Sequence, residues 1–316
     1  MGVQQPDFFN RQKGGILLKL KSNRFRQKCT PYLLAAPSAL LTVLVVGYPI
    51  LYTIYISFFS WKLSSPEHDF IGFENYQWLL DNDLWKIVLN TLIWTAGCVI
   101  FAFIIGIVLA CYVDERKKME GVYRGFLLLP WIIPSIIVVF IWRWMLQSDL
   151  GILNYFIMAL GISDQPVMWL SDERVVMMTV IMVNTWKAYT TWFIMLLAGL
   201  KSLPLEQVES ARIDGASSFD IFMKIKIPHL KPVIMTTGVL CIIWAINYVE
   251  LIYSMTGGGP DNATMTMPVM SYILGFETYD FGRSSAMATL TLVLVFLLII
   301  PYIRIMFKQL KEGADT

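Results

Sequence analysis

The chain has 316 residues, of which 56% are hydrophobic and only 15% are charged, and its mean hydropathy is +0.59. Soluble globular proteins average nearer 25% charged residues, so this composition argues against a soluble protein and favours a membrane protein. The net charge of +2 is small, no nucleic-acid motif accompanies it, and the four cysteines and two histidines lack the spacing of a metal site or a disulfide framework.

Six apolar runs are long enough to cross a membrane. A helix rises about 1.5 Å per residue, so about 20 residues cross a hydrocarbon core roughly 30 Å thick. The six runs, numbered spans 1 to 6, lie at 32–60, 87–112, 126–146, 175–200, 233–254 and 286–307. The sequence therefore predicts an all-α integral membrane protein with six transmembrane helices. Its transmembrane domain would occupy 31–310, between a basic segment at 1–30 and a tail at 311–316.

Lysine and arginine are distributed unevenly between the two sides of this arrangement. If the N-terminus is cytoplasmic, 19 of the 25 cations fall in the terminal segments and in the loops after spans 2 and 4. An excess of Lys and Arg in short loops marks the cytoplasmic side, so both termini are predicted to be cytoplasmic. The basic segment at 1–30 fits topology and contact with anionic lipid, with a regulatory element as the alternative.

The two longer outer loops carry few cations. The loop at 61–86 is acidic and aromatic, which is typical of a belt at a membrane–water interface. The loop at 147–174 contains the stretch "GILNYFIMALGI", which predicts a helix too short to span the membrane.

Lys187 is the thirteenth of about 26 residues in span 4, near the predicted midplane. An ammonium group at that depth must face protein or water, because its side chain is too short to reach the interface. Two interpretations remain open. Lys187 either forms a structural ion pair, for example with Glu250 of span 5, or binds an acidic substrate.

The inner loop between spans 4 and 5 predicts two short helices. Pro204 marks a helix start, and "LEQVESARI" follows as the first helix. Gly215 then predicts a turn, because glycine tolerates positive φ. The stretch "SSFDIFMKIKI" predicts the second helix, with Phe219 and Phe222 at helical spacing, and Pro228 is expected to end it. An ordinary structured loop is the alternative.

This loop resembles the EAA motif of ABC importer permeases, which reads E-A-A, three residues, Gly, nine residues, I-x-L-P. Here the motif occupies 209–211, Gly215 and 225–228, with serine for the second residue and isoleucine for the leucine. Other stretches resemble the carbohydrate-uptake subfamily, which includes maltose, lactose and glycerol-phosphate permeases. These stretches are "GFENYQWLL" (72–80), "NTLIWT" (90–95), "LAGLKSLP" (197–204) and the segment at 255–288.

The resemblance implies that the inner loop is a coupling helix that inserts into a cleft of a cytoplasmic ATPase subunit. Glu209 would make a charged contact, and Ala211 belongs to the same motif. Gly215 would set the bend, while Phe219 and Phe222 would fill the cleft. A rigid helical segment suits this role, because it transmits a rigid-body movement.

The resemblance also implies a substrate pathway and an outer loop that faces a binding protein. The stretch "NTWKAYTT" (184–191) and the outer half of span 5 would contact the sugar. The residues expected along this pathway are Lys187, Tyr189, Thr191, Asn247, Tyr248 and Glu250. The glycine-rich loop at 256–264 would face the binding protein, with its order expected to come from spans 5 and 6 or from that protein. Its candidate residues are Gly257, Gly258, Gly259 and Pro260.

The resemblance finally implies a complex in the bacterial inner membrane. It would contain a second homologous permease, two ATPase subunits and an extracytoplasmic solute-binding protein. The chain has no G-x-x-x-x-G-K-[ST] phosphate loop, so it is expected to be no enzyme and to hold no cofactor, while its partners bind ATP and magnesium. Lys187 favours an acidic oligosaccharide over a neutral one. The alternative function is a secondary carrier or channel that works without an ATPase.

Overall fold

The computed structural model describes residues 34–65, 67–116 and 118–314. The predicted basic segment at 1–30 lies outside the described residues. The chain divides into two compact units between Tyr55 and Ile56. The first contains nearly all of helix α1, and the second contains the other helices and both strands.

The described part of the chain is mostly helical. In chain order, its helices are α1 (Leu34–Ile56), α2 (Glu74–Asp81), α3 (Leu84–Asp114), α4 (Glu120–Leu127), α5 (Leu129–Ile132), α6 (Ser135–Met145), α7 (Ile152–Ala159), α8 (Val176–Lys201), α9 (Leu205–Ile213), α10 (Ser218–Ile221), α11 (Ile227–Ile246), α12 (Val249–Thr256), α13 (Met267–Tyr272) and α14 (Phe281–Ala314). The strands β1 (Phe59–Ser60) and β2 (Asp69–Phe70) form a short antiparallel pair. Helix α7 confirms the short helix expected in the second outer loop.

Four described helices are long and apolar enough to cross a membrane, namely α1, α3, the run Ser218–Thr256 and the part of α14 at Phe281–Ile305. A fifth candidate is the pair Glu120–Ile132 and Ser135–Met145, which is bent by 91° at a break. Helix α8 occupies predicted span 4 and has 26 residues, but it is too polar to count among these candidates. The all-α class is therefore confirmed with four or five candidate spans.

One of two clusters of the hydrophobic core among the described residues lies between α3 and α8. Small residues permit this close approach, as they do in many membrane helix pairs. A Cβ atom on Gly106 of α3 would lie only 2.5 Å from the Cβ of Trp192 of α8. Trp192 and Phe193 are almost fully buried there. Leu230 of α11 joins the same cluster, so the helix after the inner loop is packed directly against this pair.

The expectation that Pro228 ends a helix is wrong. The helix runs without an end from Ser218 past Pro228 into the predicted span 5. Proline lacks an N–H group and its ring clashes with the carbonyl four residues earlier in a regular α-helix. A π-helical turn at Phe222–Lys226 precedes it, and its last bond runs from the amide of Ile227 to the carbonyl of Phe222. This wider turn gives the proline ring room, so the helix continues.

Candidate functional site

Two helix breaks meet inside the second unit. Pro134 has an extended backbone, so the helix of predicted span 3 stops before it and restarts as α6 at Ser135. The second break separates α11 from α12 at Asn247 and Tyr248, where Tyr248 has φ −86° and ψ 87°. Breaks at membrane depth require backbone that faces protein or a cavity, so this region is a candidate site.

Ser135 connects the start of α6 with α8 and with the break between α11 and α12. Its Oγ accepts a hydrogen bond of 2.6 Å from Lys187 Nζ and another of 3.0 Å from the hydroxyl of Tyr248. These side chains line a cavity of about 440 Å³. Lys187 is the charged residue among its described lining residues. The other polar lining residues include Asn184, Thr191 and Asn247. The aromatic ones are Trp131, Trp192, Trp244 and Tyr248.

The cavity brings together four of the six residues expected along the pathway: Lys187, Thr191, Asn247 and Tyr248. Tyr189 lies elsewhere, because it is buried in the core between α3 and α8 and donates a 3.0 Å hydrogen bond to the carbonyl of Leu127.

Glu250 is exposed, and it is not among the described residues that line the cavity. The salt bridges within 4.0 Å among the described residues include none between Lys187 and Glu250. In this conformation Lys187 is therefore held by a hydroxyl group and not by a carboxylate.

Sequence reasoning missed Ser135, which is the residue that contacts both Lys187 and Tyr248. The available signal was the pair Pro130 and Pro134 within an apolar run, because proline interrupts the helical hydrogen bonds. A serine directly after such a break becomes the first residue of a new helix. Its meeting with residues 52 and 113 positions away is a tertiary contact that no local pattern reveals.

A second, more open cavity of about 880 Å³ lies at the far ends of α6 and α12. Arg143 lines it, and its guanidinium donates a 3.3 Å hydrogen bond to the carbonyl of Ser254. Trp144, Gln147 and Tyr253 also line it. Ser135 and Arg143 occupy opposite ends of the same helix α6, so this helix connects the two cavities.

The inner loop folds as a helix, a turn and a second helix. Helix α9 begins and ends at the residues that the sequence predicts, Leu205 and Ile213. Gly215 follows with φ +83°, and a Cβ atom added there would meet no other atom within 4 Å. The Oγ of Ser217 then caps α10 by accepting a 3.1 Å hydrogen bond from the amide of Asp220.

The five residues expected to take part in coupling to an ATPase have different surroundings. Glu209 is exposed, and Phe219 is 67% exposed, a large value for a phenylalanine. Ala211 and Gly215 line a small cavity between the two arms of the loop. Phe222 is half-buried and packs against the chain's own core, so it offers a partner less surface than Phe219.

The glycine-rich outer loop is ordered by α3, which the sequence-based expectation did not include. Asn90 Nδ2 donates hydrogen bonds to the carbonyls of Asn262 at 2.7 Å and Met265 at 3.2 Å. Lys86 Nζ donates to the carboxylate of Asp261 at 2.9 Å. The "NTLIWT" stretch therefore begins with the anchor of this loop.

Gly257 and Gly258 have φ +63° and +88°, the left-handed conformation that favours glycine. Gly259 and Pro260 follow in the same turn. Within this turn the amide of Thr264 donates a 3.0 Å hydrogen bond to the carbonyl of Gly258. All four candidate residues of the outer loop are thus held in one defined turn.

Comparisons with known proteins agree with these features. Residues 102–309 match the family described as binding-protein-dependent transport system inner membrane component. The trehalose/maltose transport system permease protein MalF of Thermococcus litoralis is 32% identical over 89% of this chain and 95% of its own length. The sulfoquinovosyl glycerol transport system permease protein SmoG of Agrobacterium fabrum is 32% identical over 86% of this chain and 89% of its own length.

Among solved structures, the fold is similar to a bacterial ABC transporter involved in the import of the acidic polysaccharide alginate. The TM-score is 0.76 at 19% sequence identity, and the match covers 91% of this chain and 99% of the other. At that identity the likeness concerns the fold alone. The family match covers most of the chain, and the motif, the helix breaks and the apolar helices agree with it. This chain therefore belongs to the family of binding-protein-dependent transport system inner membrane components.

Proposed function

We propose that this chain is the permease subunit of a bacterial, ATP-driven, binding-protein-dependent importer of carbohydrates. The family supports a permease, and relatives at 32% identity are named for the transport of trehalose and maltose and of sulfoquinovosyl glycerol. The complete importer would add a second homologous permease, two ATPase subunits and an extracytoplasmic solute-binding protein. ATP and magnesium would be bound by the ATPases, and this chain would translocate the substrate.

In this proposal the chain crosses the inner membrane six times, with both termini in the cytoplasm. Helix α8 supplies the additional span. Its polar residues Asn184, Lys187 and Thr191 line the cavity, which explains why it is less apolar than the other candidate spans. A span that faces a polar cavity does not need a uniformly apolar surface.

The substrate is proposed to be an acidic oligosaccharide, such as an oligouronate. The observation that carries this proposal is the position of Lys187 in the cavity, hydrogen-bonded to Ser135 and without an ion pair to Glu250 within 4.0 Å. A lysine at the membrane centre costs about 2.5–3.5 kcal/mol on insertion scales, so an anion that binds there offsets a real penalty. Ser135 also begins α6, and the positive end of a helix dipole favours an anion. A sugar phosphate satisfies the same chemistry, and a neutral oligosaccharide does so less well.

The inner loop is proposed to be the coupling helix that docks on an ATPase subunit. Exposed Glu209 would make the charged contact, and exposed Phe219 would enter an apolar recess. Ala211 and Gly215 would shape the bend between the arms, while Phe222 would fasten the second arm to the core. The loop at Gly257–Pro260 would face the binding protein on the other side of the membrane.

One experiment tests both the carbohydrate and its charge. The complete complex is purified and its ATP hydrolysis is measured with binding protein loaded from panels of acidic, phosphorylated and neutral oligosaccharides. We expect stimulation by an acidic member. Stimulation by neutral sugars alone would contradict the acidic substrate, and no response to any carbohydrate would contradict a carbohydrate importer.

A further inference from the structure

Five charged residues form a cluster where the proposed coupling segment meets the ends of two long helices. Lys226 Nζ lies 3.4 Å from a carboxylate oxygen of Asp114 and 3.8 Å from one of Glu115. Lys201 Nζ lies 3.5 Å from the other carboxylate oxygen of Asp114 and 2.8 Å from one of Glu120. Asp114 is therefore shared between the two lysines. The cluster joins the π-helical turn, the end of α3, the start of α4 and the end of α8.

Lys226 is the exceptional member, because its side chain is only 9% exposed. Exposed ion pairs contribute little to stability, whereas a buried charge depends strongly on its partner. Lys224, two residues earlier, illustrates the contrast. Its side chain is 76% exposed, and it pairs with Asp220 one turn away in the same segment. The ion pair of Lys224 is thus internal to the segment, whereas the ion pair of Lys226 connects the segment to the rest of the molecule.

Helices α3 and α8, which end at this cluster, also line the cavity. Cys98 and Ala102 of α3 line it, and so do Lys187 and Thr191 of α8. The same two helices are packed closely at Gly106. A displacement of the π-helical turn that pulls on Asp114 therefore acts on the two helices that shape the cavity.

We propose that the Lys226–Asp114 pair transmits the movement of the coupling segment to α3 and α8, which makes Lys226 a positioning residue for transport. This inference rests on the proposed function of the inner loop. It assigns a physical role to the variable position of the I-x-L-P part of the motif, the position that Lys226 occupies. The pair transmits force between the coupling segment and α3, and it contacts neither the substrate nor ATP.

The test uses the complete complex in proteoliposomes and measures substrate transported per ATP hydrolysed. Lys226→Met keeps the side-chain length and removes the charge. Lys231→Met makes the same change five residues later in the same helical run, where the lysine is exposed. Because the Lys226 side chain is only 9% exposed whereas Lys231 is exposed, we expect Lys226→Met to lower the transport-to-hydrolysis ratio about tenfold or more, with Lys231→Met close to wild type.

A double-mutant cycle with Lys226→Met, Asp114→Asn and the combined variant provides the second arm. A loss in the combined variant that is smaller than the sum of the two single losses would support the link, because such non-additivity shows that the two residues are energetically coupled. Equal ratios in Lys226→Met, Lys231→Met and wild type would overturn the proposal. If Lys226→Met does not assemble, Asp114→Asn decides, and a wild-type ratio in Asp114→Asn would overturn the proposal too. Failure of the proposed function itself is distinguishable, since the wild-type complex would then show no ATP-dependent transport.

Discussion

Lys187 carries a positive charge that its immediate surroundings do not neutralise. Its hydrogen-bond partner is the hydroxyl of Ser135, and that hydroxyl also accepts a bond from Tyr248. A hydroxyl satisfies one N–H of an ammonium group but supplies no countercharge. Lys187 is the charged residue among the described residues that line the cavity, at the point where two helices are interrupted. This arrangement suits a substrate anion that arrives and leaves.

Replacing Lys187 by methionine removes this charge and keeps the length of the side chain. We expect uptake of an acidic substrate to fall by about tenfold or more, because a charge-assisted hydrogen bond contributes roughly 1.5–3 kcal/mol. Assembly should be preserved, since no buried carboxylate loses its partner. Lys187→Arg, which retains the charge, is the matched control. Loss of assembly that Glu250→Gln repairs would instead reveal a structural ion pair and contradict this interpretation.

Gly215 is held in a backbone conformation that valine rarely adopts. Its φ is +83°, and the space around its Cβ position is empty, so a substitution there acts through the backbone alone. We expect Gly215→Val to disturb the turn by about 1–2 kcal/mol and to reduce ATP-coupled transport without affecting membrane insertion. Gly215→Asn should retain more transport, because asparagine tolerates the left-handed region. Wild-type transport by Gly215→Val would contradict a coupling role for this turn.

At the scale of elements, the outer loop and the start of α3 form one structure. Asn90 holds the carbonyls of Asn262 and Met265, and the hydroxyl of Thr91 accepts a 2.9 Å hydrogen bond from the amide of Met267. Backbone carbonyls that lose a buried partner carry a desolvation penalty. These hydrogen bonds therefore hold the loop against the start of α3.

We expect Asn90→Ala to weaken the stimulation of ATP hydrolysis by loaded binding protein while basal hydrolysis is spared. The lost hydrogen bonds should destabilise the loop by about 1–3 kcal/mol. Asn82→Ala is the matched control, because its exposed side-chain amide donates a local hydrogen bond to the carbonyl of Trp78 one turn earlier. An equal loss of basal and stimulated hydrolysis in Asn90→Ala would indicate misfolding and contradict a role confined to the loop.

The sequence predicted those elements whose signals are local. Pro204 and the turn at Gly215 bound α9, so its limits were predicted correctly at both ends. Pro228 does not end the helix because a π-helical turn precedes it, and residue propensities do not predict such a turn. The break at Asn247 was missed for a similar reason, since no proline or glycine marks it.

For the whole molecule, composition and charge predicted the class. The apolar runs and the uneven distribution of cations were sufficient to predict an all-α membrane protein, whereas the family was predicted from the resemblance of the inner loop to the EAA motif. That reasoning did not predict the cavity. Its lining joins residues of α3, α5, α6, α8 and α11, and apart from the neighbours α5 and α6 these helices are far apart in the chain and meet through tertiary contacts. Four of the six expected pathway residues reached it because the resemblance supplied their positions, while Tyr189 points into the core.

The central claim is that this chain transports a carbohydrate only as part of an ATP-driven complex. The most direct measurement is substrate uptake into proteoliposomes that contain this chain with its second permease, with or without the ATPase subunits and loaded binding protein. A proton gradient is imposed in every sample, and ATP is enclosed in half of them. We predict uptake only where ATPases, binding protein and ATP are all present. Uptake that follows the proton gradient in the absence of the ATPases would contradict this account and identify a secondary carrier.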